Sequence, residues 1–378
     1  HRVALEKRGV AGERVIMKGC PKLATNIQGK GADSPEADAL LGKFVGEAWD
    51  VMAEGGTSGG VTAEKGLAPV SAVYAGMCCT HYGYSLPLWN KHLATNAALG
   101  KGGIDTSVVT ECINPNSDMA GYIFKNSTRA PSEKTDITIR VLSMVPLTTE
   151  IDSIAPLLSG PSGDGLRAYE NPLDMFDNPV IKGGTDKHGN PIDPAAAPAA
   201  APAAPAHNGT SFGLDGDPKY MQEFYAKDEV TICVTDVGLG GMSVLSEIER
   251  RLQDNPIFAK VTLLYYNSAV TPGYTQRPVA DQISIFDSAL KGMAPYSPDI
   301  ILIACNTLSV IYAETDYAKT CPIPVMSIVD FGVALFADKM LADPASVALI
   351  FGTDTTAEVA AHRVALEKRG VAGERVIM

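Results

Sequence analysis

The sequence predicts an α/β protein whose parallel sheets carry helices on both faces. Three observations lead to this. Short apolar or β-branched runs alternate with helix-period segments along most of the chain. A Pro/Ala tract, PAAAPAAAPAAP from Pro194 to Pro205, interrupts the alternation once. Proline fixes φ and lacks an N–H, so this tract is a semi-rigid spacer and not core. Finally, residues 1–17, HRVALEKRGVAGERVIM, recur without mismatch at 362–378, an offset of 362 − 1 = 361 residues.

The repeat bears on the order in which the elements should be read. The chain is either slightly more than one period of a tandem array, or an overlap left where a circular or repeated gene was cut, or a permuted design with a duplicated seam. The natural look of the joining segment favours the first two. With a linker at 181–228, the cyclic order runs from 229 to 361 and then from 1 to 180. In that order EVTICVTD (229–236) is a strand and MSVLSEIERRL (242–252) a helix with apolar positions at 244, 245, 248 and 252. AKVTLLYY (259–266) is a strand, 279–290 a helix, DIILIA (299–304) a strand, and NTLSVIYAE a helix. PVMSIV (324–329) and SVALIFG (346–352) are strands on either side of the helix FGVALFADKM. Residues 355–370 read as a helix closed by Gly370. ERVIM (13–17) is a strand, ADALLGKFVGEAWDVMAE (37–54) an amphipathic helix, VSAVYAGM (70–77) a strand and SLPLWNKHL (85–93) a helix. Only one copy of the repeat can fill its native place. The C-terminal copy is expected to supply the helix and the N-terminal copy the strand, with 1–10 and 373–378 displaced.

Composition narrows the function. Of 378 residues, 46% are hydrophobic and 20% charged, an ordinary globular balance long enough for two or three domains. The formal net charge of −12 argues against nucleic acid and anionic membranes as partners. Runs such as IILIA and VALIF are too short to span a bilayer. Seven cysteines, an odd number, several inside strand-like text, suit free thiols in a reducing compartment, so a cytoplasmic location is expected.

Ligands of open parallel sheets bind at the C-terminal ends of the strands. Two such ends carry cysteine followed by small polar residues: IACNTLS, with Cys305, Asn306 and Thr307, and MCCTHYGY, with Cys79, Thr80 and His81. A thiol at a helix N-terminus ionises more easily, because the dipole and free N–H groups favour the thiolate. Most strand-end cysteines are inert small residues, but two in matching settings, one beside a histidine, point to acid/base chemistry. The adjacent pair Cys78–Cys79 has poor chelating spacing and no second histidine nearby, so no metal is expected. Gly238, Gly240 and Gly241 lack the dinucleotide spacing and the P-loop lysine.

Together DVGLGGMSVL (236–245), CNTLS (305–309), GTDTT (352–356), GCPKL (19–23) and CTHYGY (79–84) resemble the motif series of the aspartate/glutamate racemase family. The motifs fall into family order only when the period is added to the early ones, which places Cys79 at 79 + 361 = 440, after Cys305. The resemblance implies two pseudo-symmetric lobes with the active site between them, assigned here as 229–345 with 91–180, and 346–378 with 1–90. It implies a cofactor-independent racemase of glutamate or a related acidic amino acid. Cys305 and Cys79 would be the two bases, assisted by Asp236 and His81. Asn306, Thr307, Thr80, Thr356, Gly273 and Tyr274 would bind the amino-acid substrate, with a homodimer or tandem copies as the expected assembly. The chain departs from the pattern at Val237, Asn267, Gly83 and Gln28, and in the order Pro272-Gly273-Tyr274. These departures favour a divergent substrate or a lower rate. The alternative is a weakened homologue acting as a binding or scaffold module.

Overall fold

A computed structural model describes residues 5–353 apart from 59–60, 64–65, 68, 126, 128, 130, 159, 171–217 and 322. In chain order its elements are β1 (Val15–Gly19), α1 (Leu23–Lys30), α2 (Pro35–Glu54), β2 (Gly56–Ser58), β3 (Val61–Ala63), β4 (Ala72–Cys78), α3 (Leu86–Ala97), β5 (Val109–Ile113), α4 (Pro115–Lys125), β6 (Asp136–Ser143), α5 (Thr149–Ile154), α6 (Gly160–Arg167), α7 (Pro218–Ala226), β7 (Glu229–Asp236), α8 (Met242–Asp254), β8 (Lys260–Asn267), α9 (Val279–Met293), β9 (Ile300–Ile303), α10 (Asn306–Ile311), α11 (Asp316–Thr320), β10 (Val325–Ser327), α12 (Ile328–Ala342) and β11 (Val347–Gly352). The fold is α/β with two parallel sheets flanked by helices, as the alternation predicts. The chain divides into two compact units: His1–Asp118 with Val329–Met378, and Met119–Ile328.

The first unit holds a parallel sheet in the order β1-β11-β4-β5. β11 (VALIFG) is buried along its whole length, as expected of a central strand covered on both faces. α2 begins where Ser34 Oγ accepts from Ala37 N (3.2 Å) with Pro35 in the first turn and Glu36 and Asp38 facing the helix dipole. Its apolar stripe then buries Leu41, Phe44, Val45, Ala48, Trp49 and Met52. On the other face α12 lays Val333, Phe336, Ala337 and Met340 against Ala348 and Ile350. The helix starts at Ile328, so the strand expected at 324–329 is only Val325–Ser327.

The N-terminal copy of the repeat is docked in this unit. Leu5 is 0% and Val10 6% exposed, in one cluster with Val15, Val333 and Phe336. The expected displacement of 1–10 is therefore corrected for the described residues 5–10. Gly9, at φ +90°, closes the turn: Gly9 N donates to Glu6 O (3.0 Å) and Val10 N to Leu5 O (3.1 Å). Burying Leu5 and Val10 removes apolar surface from water, which displacement would forfeit. The expected helix at 355–370 and the segment 373–378 lie outside the described residues.

Asp330, in the first turn of α12, is the unit's electrostatic liability. Its buried Oδ2 has no hydrogen-bond partner among the described residues. Burial raises its pKa from the usual 3.8 to about 6, partly opposed by Arg8. A carboxyl whose pKa rises on folding favours the protonated fold. Its contribution is fully present below pH 3.8 and is lost as pH rises through about 6. Asp330→Asn is expected to stabilise the protein by roughly 2 kcal/mol at pH 7.5 and by almost nothing at pH 4. Thermal melts of the two proteins at both pH values check this.

The second unit holds a parallel sheet in the order β10-β9-β7-β8-β6. From β7 the chain moves to β8 on one side, then crosses back to β9 on the other. The topological switch point thus lies between β7 and β9, where ligands of doubly wound sheets bind. The stretch β8-β7-β9-β10 has the same arrangement as β1-β11-β4-β5, and a cysteine follows the third strand of each: Cys305 after β9 and Cys79 after β4. Part of the expected linker is ordered here. Pro218–Ala226 is helical because Phe224 packs edge-on against Phe258 (5.2 Å) and Tyr225 Oη donates to Ile123 O (2.8 Å). The Pro/Ala tract itself lies outside the described residues. No helix of the described residues is long and apolar enough to cross a membrane.

Candidate functional site

Cys305 follows β9 in extended conformation (φ −103°, ψ 125°) and leads into α10. Neighbouring β7 delivers Asp236 beside it, because Thr235 and Ile303 are register partners. The Asp236 carboxylate accepts from Val237 N (2.7 Å) and Gly241 N (2.6 Å), and is 2% exposed. It therefore fixes the β7–α8 turn and also meets Cys305. The Cys305 thiol is pushed well above its ordinary value by burial, and further by the Asp236 charge. The Leu308 and Val237 N–H groups act in the opposite direction. Burial and the adjacent Asp236 carboxylate thus keep this thiol protonated. Asn306 and Thr307 are buried in the first turn of α10.

The loop after β8 brings Tyr274 to the same strand ends. Tyr274 is 2% exposed, and its hydroxyl has no hydrogen-bond partner among the described residues. Burial raises its pKa, and the neighbouring Cys305 raises it further. An unpaired buried hydroxyl is costly and suits a donor awaiting a polar ligand. Gly273 is extended (φ −62°, ψ 163°), and a Cβ there would meet nothing within 4 Å. It borders open space.

Asn267, where the family pattern has aspartate, is completely buried and structural. Its Oδ1 accepts from Gly238 N (2.9 Å) and Ala269 N (3.1 Å), and its Nδ2 donates to Ser143 Oγ (2.9 Å). Ser143 Oγ donates in turn to Val145 O (2.5 Å), so it must accept from position 267. An amide both accepts and donates in this way, whereas an ionised carboxylate can only accept. Gly238, at φ +107°, takes a turn that favours glycine and offers its carbonyl to Tyr265 Oη (2.7 Å). Asn267→Asp is expected to cost roughly 2–4 kcal/mol, because a second acceptor would face Ser143 Oγ in the core. Urea unfolding checks this.

In the first unit, Cys79 follows β4 and precedes a 3-10 turn, Thr80–Ser85. Strand alternation separates the adjacent thiols. Cys79 faces the α2 side with Trp49 and Trp89, whereas Cys78 faces the α12 side, where burial pushes its pKa up to about 12. Tyr82 anchors the turn by donating to Gly352 O (3.2 Å) and packing on Trp89 (5.5 Å). Thr80 is buried, and its carbonyl accepts from Asn116 Nδ2 (3.1 Å). At Gly83 a Cβ would come within 2.8 Å of Asn114 Nδ2, so a larger residue would displace that amide.

The turn places His81, 5% exposed, with Nδ1 3.7 Å from Cys79 Sγ. His81 Nε2 lies 2.6 Å from Gln28 Oε1 on α1. An amide oxygen only accepts, so Nε2 carries the hydrogen and the Nδ1 lone pair faces the thiol. Gln28, known from sequence only as a departure, thus sets the tautomer of the histidine.

The structure therefore brings Cys305, Asp236, Asn306, Thr307 and Tyr274 to one set of strand ends, and Cys79, Thr80 and His81 to another. Thr356 lies outside the described residues. Asn116 and Ser143 escaped the sequence reading, although each lies just beyond or at the end of a strand, where sites of this fold gather. Among the described residues no group of three His, Cys, Asp or Glu could hold a metal ion.

No family model matches the chain. It is 30% identical over 141 residues to a glutamate racemase of Helicobacter pylori (strain J99 / ATCC 700824), covering 37% of this chain and 51% of that protein. It is 30% identical over 128 residues to a glutamate racemase of Vibrio vulnificus (strain CMCP6), covering 32% and 46%. Over 100 residues it is 30% identical to a glutamate racemase of Haemophilus ducreyi (strain 35000HP / ATCC 700724), covering 26% and 35%. The chain spans about half the length or less of these curated relatives. Over roughly a third of its own length, it is related to glutamate racemases.

Proposed function

We propose that the chain is a cofactor-independent racemase of an acidic amino acid, with Cys79 and Cys305 as its two acid/base groups. The observation that carries this reading is the matched pair of thiols. Each follows the third strand of an equivalently ordered sheet, and each has its own proton partner, His81 or Asp236. The partial likeness to glutamate racemases supports it.

Inverting a Cα centre without a cofactor needs one group to remove a proton from one face and another to deliver a proton to the opposite face. The two must begin in opposite states. Cys305, kept protonated by burial and by Asp236, is suited to deliver. Cys79 can pass its proton to His81 Nδ1 and act as the thiolate. In the reverse direction Cys305 removes the proton, and Asp236 accepts its thiol hydrogen. Buried donors around each thiol, including the Tyr274 hydroxyl, would bind the carboxylates and amino group. A buried polar site whose donors are matched by one substrate rejects analogues that leave them unpaired.

The test is incubation in D₂O with D- and L-glutamate, D- and L-aspartate, and neutral amino acids. Deuterium entering Cα from both enantiomers of an acidic amino acid is the expected result. Absence of exchange with every acidic substrate would overturn the racemase reading in favour of a binding module.

A further inference from the structure

We propose that Gly241 is a positioning residue for the pair Cys305 and Asp236: lacking a Cβ, it lets the ends of β7 and β9 close on the start of α8. The inference rests on the reading of that pair as acid/base groups. Gly241 stands at the head of α8, where its N–H donates to Asp236 Oδ2 (2.6 Å). Its backbone is right-handed helical (φ −66°, ψ −12°), a conformation open to any L-residue. Conformational freedom therefore does not explain the glycine.

Space explains it. A Cβ at position 241 would lie 3.0 Å from Asp236 Cβ, 3.0 Å from Ala304 Cβ and 3.2 Å from Asp236 Oδ2. Carbon atoms in contact rest at about 3.5–4.0 Å, so each neighbour would have to move by roughly 0.5–1 Å. Neither can yield cheaply. Both β-carbons are fixed to backbone and are not carried on a long side chain. Ala304 is 0% and Asp236 2% exposed. Ala304 N donates to Thr235 O (2.9 Å), and Ser268 N donates to Asp236 O (2.8 Å). Thr235 Oγ1 donates in turn to Tyr266 O (2.9 Å). The ends of β7, β8 and β9 are thus tied together around position 241.

The consequence is electrostatic. Ala304 is bonded directly to Cys305, and Asp236 carries the carboxylate. An added methyl would lie between the two and drive them apart. Burial and the Asp236 charge hold the Cys305 thiol protonated, and the influence of that charge falls with distance. Val237 N donates to Asp236 Oδ1 (2.7 Å) and also acts on Cys305, so moving the carboxylate disturbs both partners. A proton pair works only within about 0.5 Å of its productive geometry. The glycine protects that tolerance without touching substrate.

The experiment has two arms. In the first, Gly241→Ala is expected to lower turnover of the acidic substrate by roughly 10–100-fold with little change in KM. Adding Ala304→Gly empties the space of one clashing methyl and should restore at least about fivefold of that loss. In the second arm, Cys305 alkylation by iodoacetamide at neutral pH is followed by mass spectrometry. Gly241→Ala should raise its rate about threefold or more, because the carboxylate that opposes ionisation has moved away. In an Asp236→Asn background the same change should alter the rate by less than about 1.5-fold, since no charge remains to be displaced. A rise that persists in that background reports access alone and would overturn the proposal. So would a Gly241→Ala protein with a lowered Tm but unchanged turnover and alkylation, which is the behaviour of a merely structural glycine. Should Gly241→Ala not fold, its Ala304→Gly double variant carries both arms, with effects of the same sign and smaller size. Alkylation needs no turnover, so failure of the racemase reading and failure of this one show separately.

Discussion

Cys305→Ala and Cys79→Ala are each expected to lower racemisation of the acidic substrate by at least about 10³-fold, in both directions. Neither half of a two-base reaction completes without the opposite partner. Washout of the Cα hydrogen should divide differently. Each variant keeps the base facing one enantiomer, so it should still exchange that enantiomer with solvent and lose exchange of the other. The retained enantiomer should swap between the two variants. Proton NMR in D₂O with each pure enantiomer checks this. A one-base enzyme would instead lose everything with one cysteine and little with the other. The raised pKa of Cys305 adds a signature: its alkylation by iodoacetamide at neutral pH should be slower than that of an ordinary exposed thiol.

Gln28→Leu is expected to reduce turnover by roughly 10–100-fold with little change in KM, although Gln28 is remote from the reacting carbon in sequence and role. Its amide oxygen holds the hydrogen on His81 Nε2 and leaves Nδ1 free to accept from Cys79. Leucine removes that preference, and the wrong tautomer presents a donor to the thiol. Gln28→Glu tests the electrostatics without losing the hydrogen bond. A carboxylate against Nε2–H stabilises imidazolium, and an imidazolium beside Cys79 stabilises its thiolate. The pH profile of Cys79 alkylation should therefore move to lower pH by about one unit in the glutamate variant. A merely structural role for Gln28 would leave that profile in place.

The two units show which parts of the protein are legible from local chemistry. β7, β8 and β11 read as strands because a buried parallel strand is an almost unbroken apolar run. α2 was legible from its stripe, with Ser34 and Pro35 marking the start. The candidate cysteines were visible for a related reason: residues just past such strands are the ones a parallel sheet offers to ligands. Less legible were the elements whose identity depends on distant partners. Ile328 and Val329 look like strand text, yet they begin α12. Pro218–Ala226 follows a spacer-like tract, yet Phe224 and Tyr225 fold it onto Phe258 and Ile123.

By itself the sequence determined the α/β class, the strand ends that carry Cys79 and Cys305, and the existence of two identical claimants for one place. These follow from periodicity and identity, which are properties of neighbouring residues. Tertiary structure alone decided that Leu5 and Val10 are docked, that Asn267 is a three-way clamp and not a substrate carboxylate, and that Gln28 reaches His81. Each of these depends on atoms brought together by sheet register and helix packing across tens or hundreds of residues. No local pattern encodes those distances.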